Sequence, residues 1–303
     1  MKALLLSAGY GKRLRPLTLS RPKALVPIVN VPILERNIYF LKKSGIKEVI
    51  VNTHYLHTQV KEFIESKKFD IPVHIVFEPE LLGTGGAIKN TGLFFKKKPF
   101  LVMNVDILTN IDIKKVYDWH KTQRSDITLV LYRYPHFKKI ILSDDLKVKA
   151  ILKEELKEES EKAFAFTGIH IINPDIIEEM PRSQFDIIDF YRYLLRKGLN
   201  IKGYIAAGHY WRDIGNVKSY IKANIEFLGK KKFVIDSSSF IHPKAQLSNW
   251  AIIGKKCRIE ENALISRSIL WDNVSIEKNT HLVDRVITDG VIVYNCSHPH
   301  NCG

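Results

Sequence analysis

The sequence predicts an α/β domain on a mostly parallel sheet, followed by a parallel β-helix, and three observations lead there. Short apolar strands alternate with amphipathic helices over residues 1 to about 230, a pattern that packs as a parallel sheet covered on both faces. A glycine loop follows the first strand and Asp106 ends a later one, so both fall beyond the carboxyl ends of strands, where such sheets bind ligands. Beyond Phe227 apolar residues recur every six positions at Ile241, Leu247, Ile253, Ile259 and Ile265, with small residues at Ala245, Ala251, Cys257 and Ala263. Hairpins would repeat at every second position, whereas a hexad period marks a parallel β-helix of hexapeptide repeats.

Taken in order, Lys2 to Ser7 reads as an apolar strand, and Pro32 to Ser44 as a helix stopped by Gly45. Lys47 to Asn52 is the next strand, Thr58 to Glu65 a helix and Val73 to Phe77 a strand. Gly86 to Phe95 reads as helical, and Pro99 to Val105 as a strand. The run Gly229-Lys230-Lys231-Lys232 is the expected linker, giving domains of 1–230 and 231–303. In the second, the hexad register loosens at Trp271 and Val274, and Val291 to Val293 can add a further rung.

Hydrophobic residues make up 45% of the 303 and charged residues 26%, so the chain can bury a core. No apolar run approaches the ~18 residues of a membrane span, and the apolar start is too short for a signal peptide. Three cysteines, Cys257, Cys296 and Cys302, are too few and too clustered for a disulfide framework. A cytoplasmic protein without a membrane partner is therefore expected. The net charge of +15 favours phosphate-bearing partners, and about +14 of it lies before Lys232. No helix-turn-helix, zinc finger or aromatic RNA-binding motif accompanies the charge, so nucleic acid is not expected. The segment Cys296 to Cys302 holds four potential soft ligands, two Cys and two His, but its spacing is not that of usual zinc sites.

The loop Ser7-Ala8-Gly9-Tyr10-Gly11-Lys12-Arg13-Leu14-Arg15-Pro16-Leu17-Thr18 carries most of the chemistry. Its glycines let backbone N–H groups approach an anion closely. A dinucleotide fingerprint would need glycine where Leu14 stands, and a Walker loop would need Gly-Lys-Ser/Thr. What remains is a glycine loop loaded with Lys12, Arg13 and Arg15, then Arg21-Pro22-Lys23, suited to charge-assisted bonds to a polyphosphate. A solvated basic loop would look the same by charge alone. Asp106 likewise reads, on residue type, as a turn former or helix cap as well as a ligand.

Leu6 to Thr18, then Pro22-Lys23-Ala24-Leu25-Val26-Pro27-Ile28 and Asn30-Val31-Pro32-Ile33-Leu34, closely resemble the signature of sugar-1-phosphate nucleotidylyltransferases. The resemblance continues through Gly83-Thr84-Gly85-Gly86, Asn104-Val105-Asp106 and Trp211-Arg212-Asp213-Ile214-Gly215, and so covers the whole of the expected first domain. It implies a Rossmann-like nucleotidyltransferase domain, to which a left-handed hexapeptide β-helix is a common C-terminal addition. It also implies attack by a sugar phosphate on the α-phosphorus of a nucleoside triphosphate, with release of pyrophosphate.

By resemblance, Leu6, Ala8, Gly9, Gly11, Lys12, Arg13, Lys23, Glu78, Gly83 and Asp106 bind the nucleotide. Arg13 and Lys23 stabilise the transferring phosphorus, and Asp106 and Asp213 hold Mg²⁺. Thr167 and Gly168, in Phe166-Thr167-Gly168-Ile169, resemble the sugar-contacting turn. Many relatives carry Glu-Lys-Pro after a strand, whose Lys grips the sugar phosphate. Here Lys149 to Glu155 occupies that region with Lys and Glu exchanged and Pro absent, leaving Lys153 as the candidate or as part of a solvated face.

Glu78, Glu80 and the glycines after them look more like guanylyltransferases of mannose or heptose phosphates, since a carboxylate accepts guanine's ring N–H and amine. A uridylyltransferase of N-acetylmuramate 1-phosphate and a non-catalytic nucleotide-sugar sensor are the other readings. The coil, with Trp250, Ile269 and Trp271, is expected to form a homo-oligomer.

Overall fold

The strand Lys2–Leu6 lies inside a nine-stranded sheet and pairs in parallel with Glu48–Thr53 on one side and Phe100–Asn104 on the other. The computed structural model describes residues 1–95, 98–134, 136–156, 160–181 and 183–295. Ala3, Leu4 and Leu5 are wholly buried between these neighbours, which is why the strand reads as a continuous apolar run rather than an alternation. Val73–Phe77 extends the parallel half beyond Glu48–Thr53. The other half is mixed: Ala163–Ile172 runs antiparallel to Phe100–Asn104, Ile127–Tyr132 and Lys138–Leu142. Val148–Ile151 is antiparallel to Lys138–Leu142, and Ile201–Ile205 parallel to Ile127–Tyr132.

Helices α1 (Ile33–Lys43), α2 (His57–Ser66), α3 (Gly83–Asn90), α4 (Ile113–Thr122) and α5 (Ile187–Arg196) separate these strands. In α1 the buried Ile33, Leu34, Asn37, Ile38 and Leu41 recur at helical spacing, and Gly45, with φ of 84°, follows its end. Asp112 caps α4 by accepting from the Lys115 N–H at 3.0 Å. The single helix expected over Gly86 to Phe95 is instead α3, starting earlier at Gly83, and a separate 3₁₀ turn at Gly92–Phe95. Thr91 interrupts it: its hydroxyl donates back to the Ala87 carbonyl at 2.9 Å, a local bond that competes with helix continuation.

Two compact units result. The first holds Met1–Arg13, Arg21–Leu25 and Ile33–Gly215; the second holds Leu14–Ser20, Val26–Pro32 and Asn216–Gly303. The C-terminal stretch of the second opens with helix α6 (Val217–Leu228), started by a capping box of Asn216 and Ser219. Parallel strands follow. Phe240–Ile241 pairs with Arg258–Ile259, a step of whole hexads along the chain, and Arg258–Ile259 pairs with Ser275–Ile276, a step slightly shorter. Gln246–Ile253 pairs with Leu264–Leu270, and Ser275–Ile276 with Ile292–Val293.

The loosening of the hexad register has a local cause. Ser248 faces Ser266 and Ala251 faces Ser268, so the later strand spans the same step with one residue fewer. Asn249, Arg267 and Asp284 all sit at positive φ at this corner, and Arg267 is ion-paired to Asp284 at 2.6 Å. Ile241, Leu247, Ile253, Ile259 and Ile265 all pack in one apolar cluster with Ala251, Cys257 and Ala263. The Cys296 to Cys302 tail lies outside the described residues. No helix of the described residues is long and apolar enough to cross a membrane.

One buried group ties stability to pH. His170 in Ala163–Ile172 is fully buried, its ring 5.6 Å from that of Tyr191, and burial lowers its imidazole from 6.5 to about 3. The folded chain therefore keeps His170 neutral where the unfolded chain protonates it, so its contribution is intact above pH 6.5 and lost progressively as pH falls toward 3. Denaturant titrations of the parent and of His170→Leu should give a shallower loss of stability with acid in the variant; parallel slopes would refute the assignment.

Candidate active site

The site is assembled where the strands Lys2–Leu6 and Phe100–Asn104 end. After the first, the Ser7 N–H donates to Asn52 Oδ1 at 2.8 Å, and the Ser7 hydroxyl donates to the Asn52 carbonyl. Leu6 accepts from the Val105 N–H at 3.1 Å, which ties the start of the glycine loop to the residue before Asp106. Asn37 of α1, buried, donates to the Val105 carbonyl at 2.7 Å. The backbone leading to Asp106 is thus held from both sides.

Asp213 arrives from a stretch far along the chain. Trp211–Asp213 pairs antiparallel with Ile107–Thr109, setting Asp213 opposite Ile107, and the Ile214 N–H donates to the Asp106 carbonyl at 3.0 Å. This two-stranded ladder is what brings the two carboxylates together. Lys23, in the short turn Lys23–Leu25, forms an ion pair with Asp106, both side chains largely buried. Arg13 completes the group. A Cβ on Gly215 would lie 2.8 Å from an Arg13 guanidinium nitrogen and 2.5 Å from Asp213 Oδ1, so only glycine fits between them.

Two cations therefore face two carboxylates, and their formal charges balance. Burial pushes the Asp213 carboxyl up, and the Asp106 charge beside it adds to the rise. The Gly215 N–H, Lys23 and Arg13 pull the other way. A pair of carboxylates under mutual repulsion, with cations beside them and a glycine loop next to them, suits a dense anion accompanied by a divalent cation.

The other expected residues fall around this group. Ala8 is buried, Gly9 exposed and Lys12 exposed, its ammonium 5.6 Å from the Tyr10 ring centroid. Glu78 is wholly buried, and its oxygens accept from Asn52 Nδ2 at 2.8 Å and the Leu82 N–H at 3.3 Å, so its carboxylate braces Asn52 and the start of α3. Burial raises its carboxyl and these donors oppose the rise. Gly83, with φ of 73°, opens α3, and the absent side chain of Gly85 makes room for the Phe185 ring.

Thr167 is buried, donating its hydroxyl to the Val130 carbonyl at 2.7 Å, while its carbonyl accepts from Trp211 Nε1 at 2.9 Å. Gly168, φ 75°, lies against Asn104: a Cβ there would come within 2.8 Å of the Asn104 amide nitrogen. The sugar-turn candidates thus adjoin the strand that leads to Asp106. Lys153 sits in an exposed turn whose carbonyl accepts from Lys139 Nζ at 2.9 Å, and the contacts that unite Arg13, Lys23, Asp106 and Asp213 do not include it.

Asn52 and the pair Tyr10–His54 did not stand out in the sequence. His54 Nδ1 lies 2.8 Å from the Glu78 carbonyl and must carry the proton there, leaving Nε2 to accept from the Tyr10 hydroxyl at 3.2 Å. A polar Asn closing an apolar strand beside the first strand was the available signal for Asn52; the Tyr10–His54 bond leaves none in sequence.

Comparison with known proteins gives this geometry a family. A family model described as nucleotidyl transferase matches residues 2–229. The chain is 26% identical over 293 residues to a mannose-1-phosphate guanylyltransferase of Mycobacterium tuberculosis, covering 91% of this chain and 81% of that one. It is 31% identical over 231 residues to a D-glycero-alpha-D-manno-heptose 1-phosphate guanylyltransferase of Aneurinibacillus thermoaerophilus, covering 75% and 98%. The crystal structure of HddC from Yersinia pseudotuberculosis complexed with GMP-PN matches with a TM-score of 0.64 at 25% identity, over 75% of this chain and 99% of that one. With the family match spanning most of the chain and the charged group assembled inside it, the protein belongs to the nucleotidyl transferase family.

Proposed function

We propose that the chain transfers a guanylyl group from GTP to the phosphate of mannose 1-phosphate or a manno-heptose 1-phosphate, releasing pyrophosphate. The observation that carries this reading is the convergence of Arg13, Lys23, Asp106 and Asp213 beside the glycine loop, in a chain with relatives that are named as guanylyltransferases of those two sugars. A phosphate oxygen of the sugar 1-phosphate attacks the α-phosphorus, and the bond to the β-phosphate breaks as pyrophosphate leaves. Negative charge gathers on the oxygens around that phosphorus. Lys23, paired with Asp106, and Arg13, beside Asp213, are the cations we assign to stabilising it, in the manner of preorganised charges that need no reorganisation at the moment of transfer.

Gly9 and Gly11 supply backbone donors to the triphosphate, and Lys12 a charge at the exposed edge of the same loop. Thr167 and Gly168 shape the sugar side, with Gly168 against Asn104. Asp106 and Asp213 fit Mg²⁺, which takes one or two carboxylates and fills its remaining positions with water and substrate oxygen. Mg²⁺ would offset the charge of the triphosphate. The repulsion that raises Asp213 is the cost of keeping such a site ready.

Within the expected second domain, 231–303, we read the described residues as a left-handed parallel β-helix that mediates a homo-oligomer, with 1–230 as the catalytic domain. The parallel stacking of Phe240 on Arg258 and of Arg258 on Ser275, each about a full coil further along, supports the first. Ile269 and Trp271, expected at such an interface, are instead buried within the chain, Trp271 donating to the Tyr220 hydroxyl; the exposed Val291, Ile292 and Tyr294 support the second. Light scattering should return a multiple of the 34.9 kDa chain mass at micromolar concentration; a monomer would contradict it.

A coupled pyrophosphate-release assay across four nucleoside triphosphates and a panel of sugar 1-phosphates should give its highest turnover with GTP and a manno-configured sugar. Highest turnover with UTP and N-acetylmuramate 1-phosphate would replace the reading, and a chelator should abolish release. Lys23→Ala should lose about 3 kcal/mol of transition-state stabilisation, roughly a hundredfold in kcat, with less change in nucleotide binding. Asp213→Asn should separate stability from activity. Because the folded carboxyl is raised above its ordinary 3.8, its ionisation costs stability as pH rises through that region. With chelator present, the variant should melt higher than the parent at neutral pH, lose that advantage below pH 3.8, and turn over poorly with Mg²⁺. A lower melting point at neutral pH would refute the strained pair.

A further inference from the structure

The signature stretch Asn30-Val31-Pro32 takes no part in the chemistry above, yet its backbone is held in an unusual state. Val29 and Asn30 are the two turn residues of a hairpin whose strands, Pro27–Ile28 and Val31–Pro32, pair Ile28 with Val31. Their φ values are 47° and 60°. Two-residue hairpins of this hand need positive φ at both positions, normally supplied by Asn-Gly or Asp-Gly. Asn tolerates it, but a β-branched residue such as Val29 does not do so readily. Backbone strain of this kind persists only where surrounding groups over-determine it, and it clusters at functional sites.

Two of those groups belong to the C-terminal part of the second unit. The Val29 N–H donates to Asn224 Oδ1 at 2.8 Å, and Asn30 Nδ2 donates to the Ile253 carbonyl at 2.7 Å. Asn224 is wholly buried in α6, and its amide nitrogen donates to the Tyr220 carbonyl at 3.0 Å. The Tyr220 hydroxyl accepts from Trp271 Nε1 at 2.9 Å, both rings buried. A line of hydrogen bonds therefore runs, within that unit, from the C-terminal strands through α6 to the Val29–Asn30 turn.

Chain continuity carries the line further. Arg21–Leu25, which bears Lys23, is followed directly by Val26–Pro32 and preceded by Leu14–Ser20, and both flanks belong to the second unit. Only Ala24 and Leu25 separate Lys23 from Val26. The turn bearing Lys23 is closed by the Leu25 N–H donating to the Pro22 carbonyl at 2.8 Å. With so short a connection, a shift of Val26 moves Lys23, and small misplacements of a catalytic group cost large factors in rate.

We propose that the Val29–Asn30 turn is a clamp that holds the backbone just after Leu25, and through that chain connection steadies the turn that bears Lys23, with Asn30 and Asn224 as positioning residues. This rests on Lys23 acting on the transferring phosphorus. Asn30→Asp keeps the side chain's shape but loses the donor to the Ile253 carbonyl, and Asn30→Gly adopts the turn without strain while losing the same bond. Both are made in the full chain and assayed with the substrate pair that turns over fastest, beside Lys23→Ala. Amide hydrogen exchange at Leu25 is followed in parallel.

The clamp predicts that kcat falls about tenfold or more in both Asn30 variants, while KM for the nucleotide stays within about threefold and Leu25 exchanges faster. It is overturned if kcat stays within about twofold of the parent, if the loss appears in KM alone, or if kcat falls with Leu25 exchange unchanged. Full turnover in Lys23→Ala would instead remove the assigned role of Lys23, and the Leu25 exchange would still decide whether the turn holds that segment.

Discussion

The constraint on which the rest depends is the side-by-side placement of two carboxylates, Asp106 and Asp213, in a part of the molecule where neither is well solvated. Like charges do not stay close without cause. Lys23 neutralises Asp106 directly, Arg13 packs against Gly215 beside Asp213, and the Gly215 N–H donates into the Asp213 carboxylate. These partners come from different stretches of chain. The fold has therefore to bring distant segments to one point, and much of its first unit can be read as the means of doing so.

The parallel half of the sheet supplies the base. Lys2–Leu6 between Glu48–Thr53 and Phe100–Asn104 is buried on both faces, so its register is set by apolar packing and the loop after it leaves from a fixed place. Burial of each large aliphatic side chain in such a strand contributes about 1.5–3 kcal/mol, enough that a slip in register is not tolerated. At the far end the backbone is held by buried polar groups, Asn37 on Val105 and Asn52 between Ser7 and Glu78. Buried amides of this kind cost stability if unpaired, so each one specifies a single arrangement. The short ladder Trp211–Asp213 with Ile107–Thr109 then adds the last carboxylate.

What could be read from the sequence follows from how local each signal is. The strand and helix order up to Val105 was legible because apolar period and stop residues such as Gly45 are local properties. The antiparallel insertion of Ala163–Ile172 was not, since strand direction depends on pairing across the sheet. Apolar residues six positions apart can be followed in the sequence up to Ile265, and the shorter step from Ser266 to Ser268, opposite Ser248 to Ala251, coincides with the loss of that spacing. In the site, Arg13, Lys23, Asp106 and Asp213 stood in motifs, whereas the contacts that unite them could not be seen before folding. Glu78 is a similar case: it was read from its place in the motif, whereas its bonds to Asn52 and the Leu82 N–H are visible only in the fold.

What defines the reaction is which phosphorus is attacked. GTP labelled with phosphorus-32 at the α position, incubated with the full chain, Mg²⁺ and unlabelled mannose 1-phosphate, tests that without intermediary enzymes. The charged group around Lys23 and Asp106 predicts that all label lost from GTP appears in a sugar-linked nucleoside diphosphate, with an equal amount of unlabelled pyrophosphate. Label recovered as free nucleoside mono- or diphosphate, with no sugar-linked product from any sugar 1-phosphate offered, would contradict it.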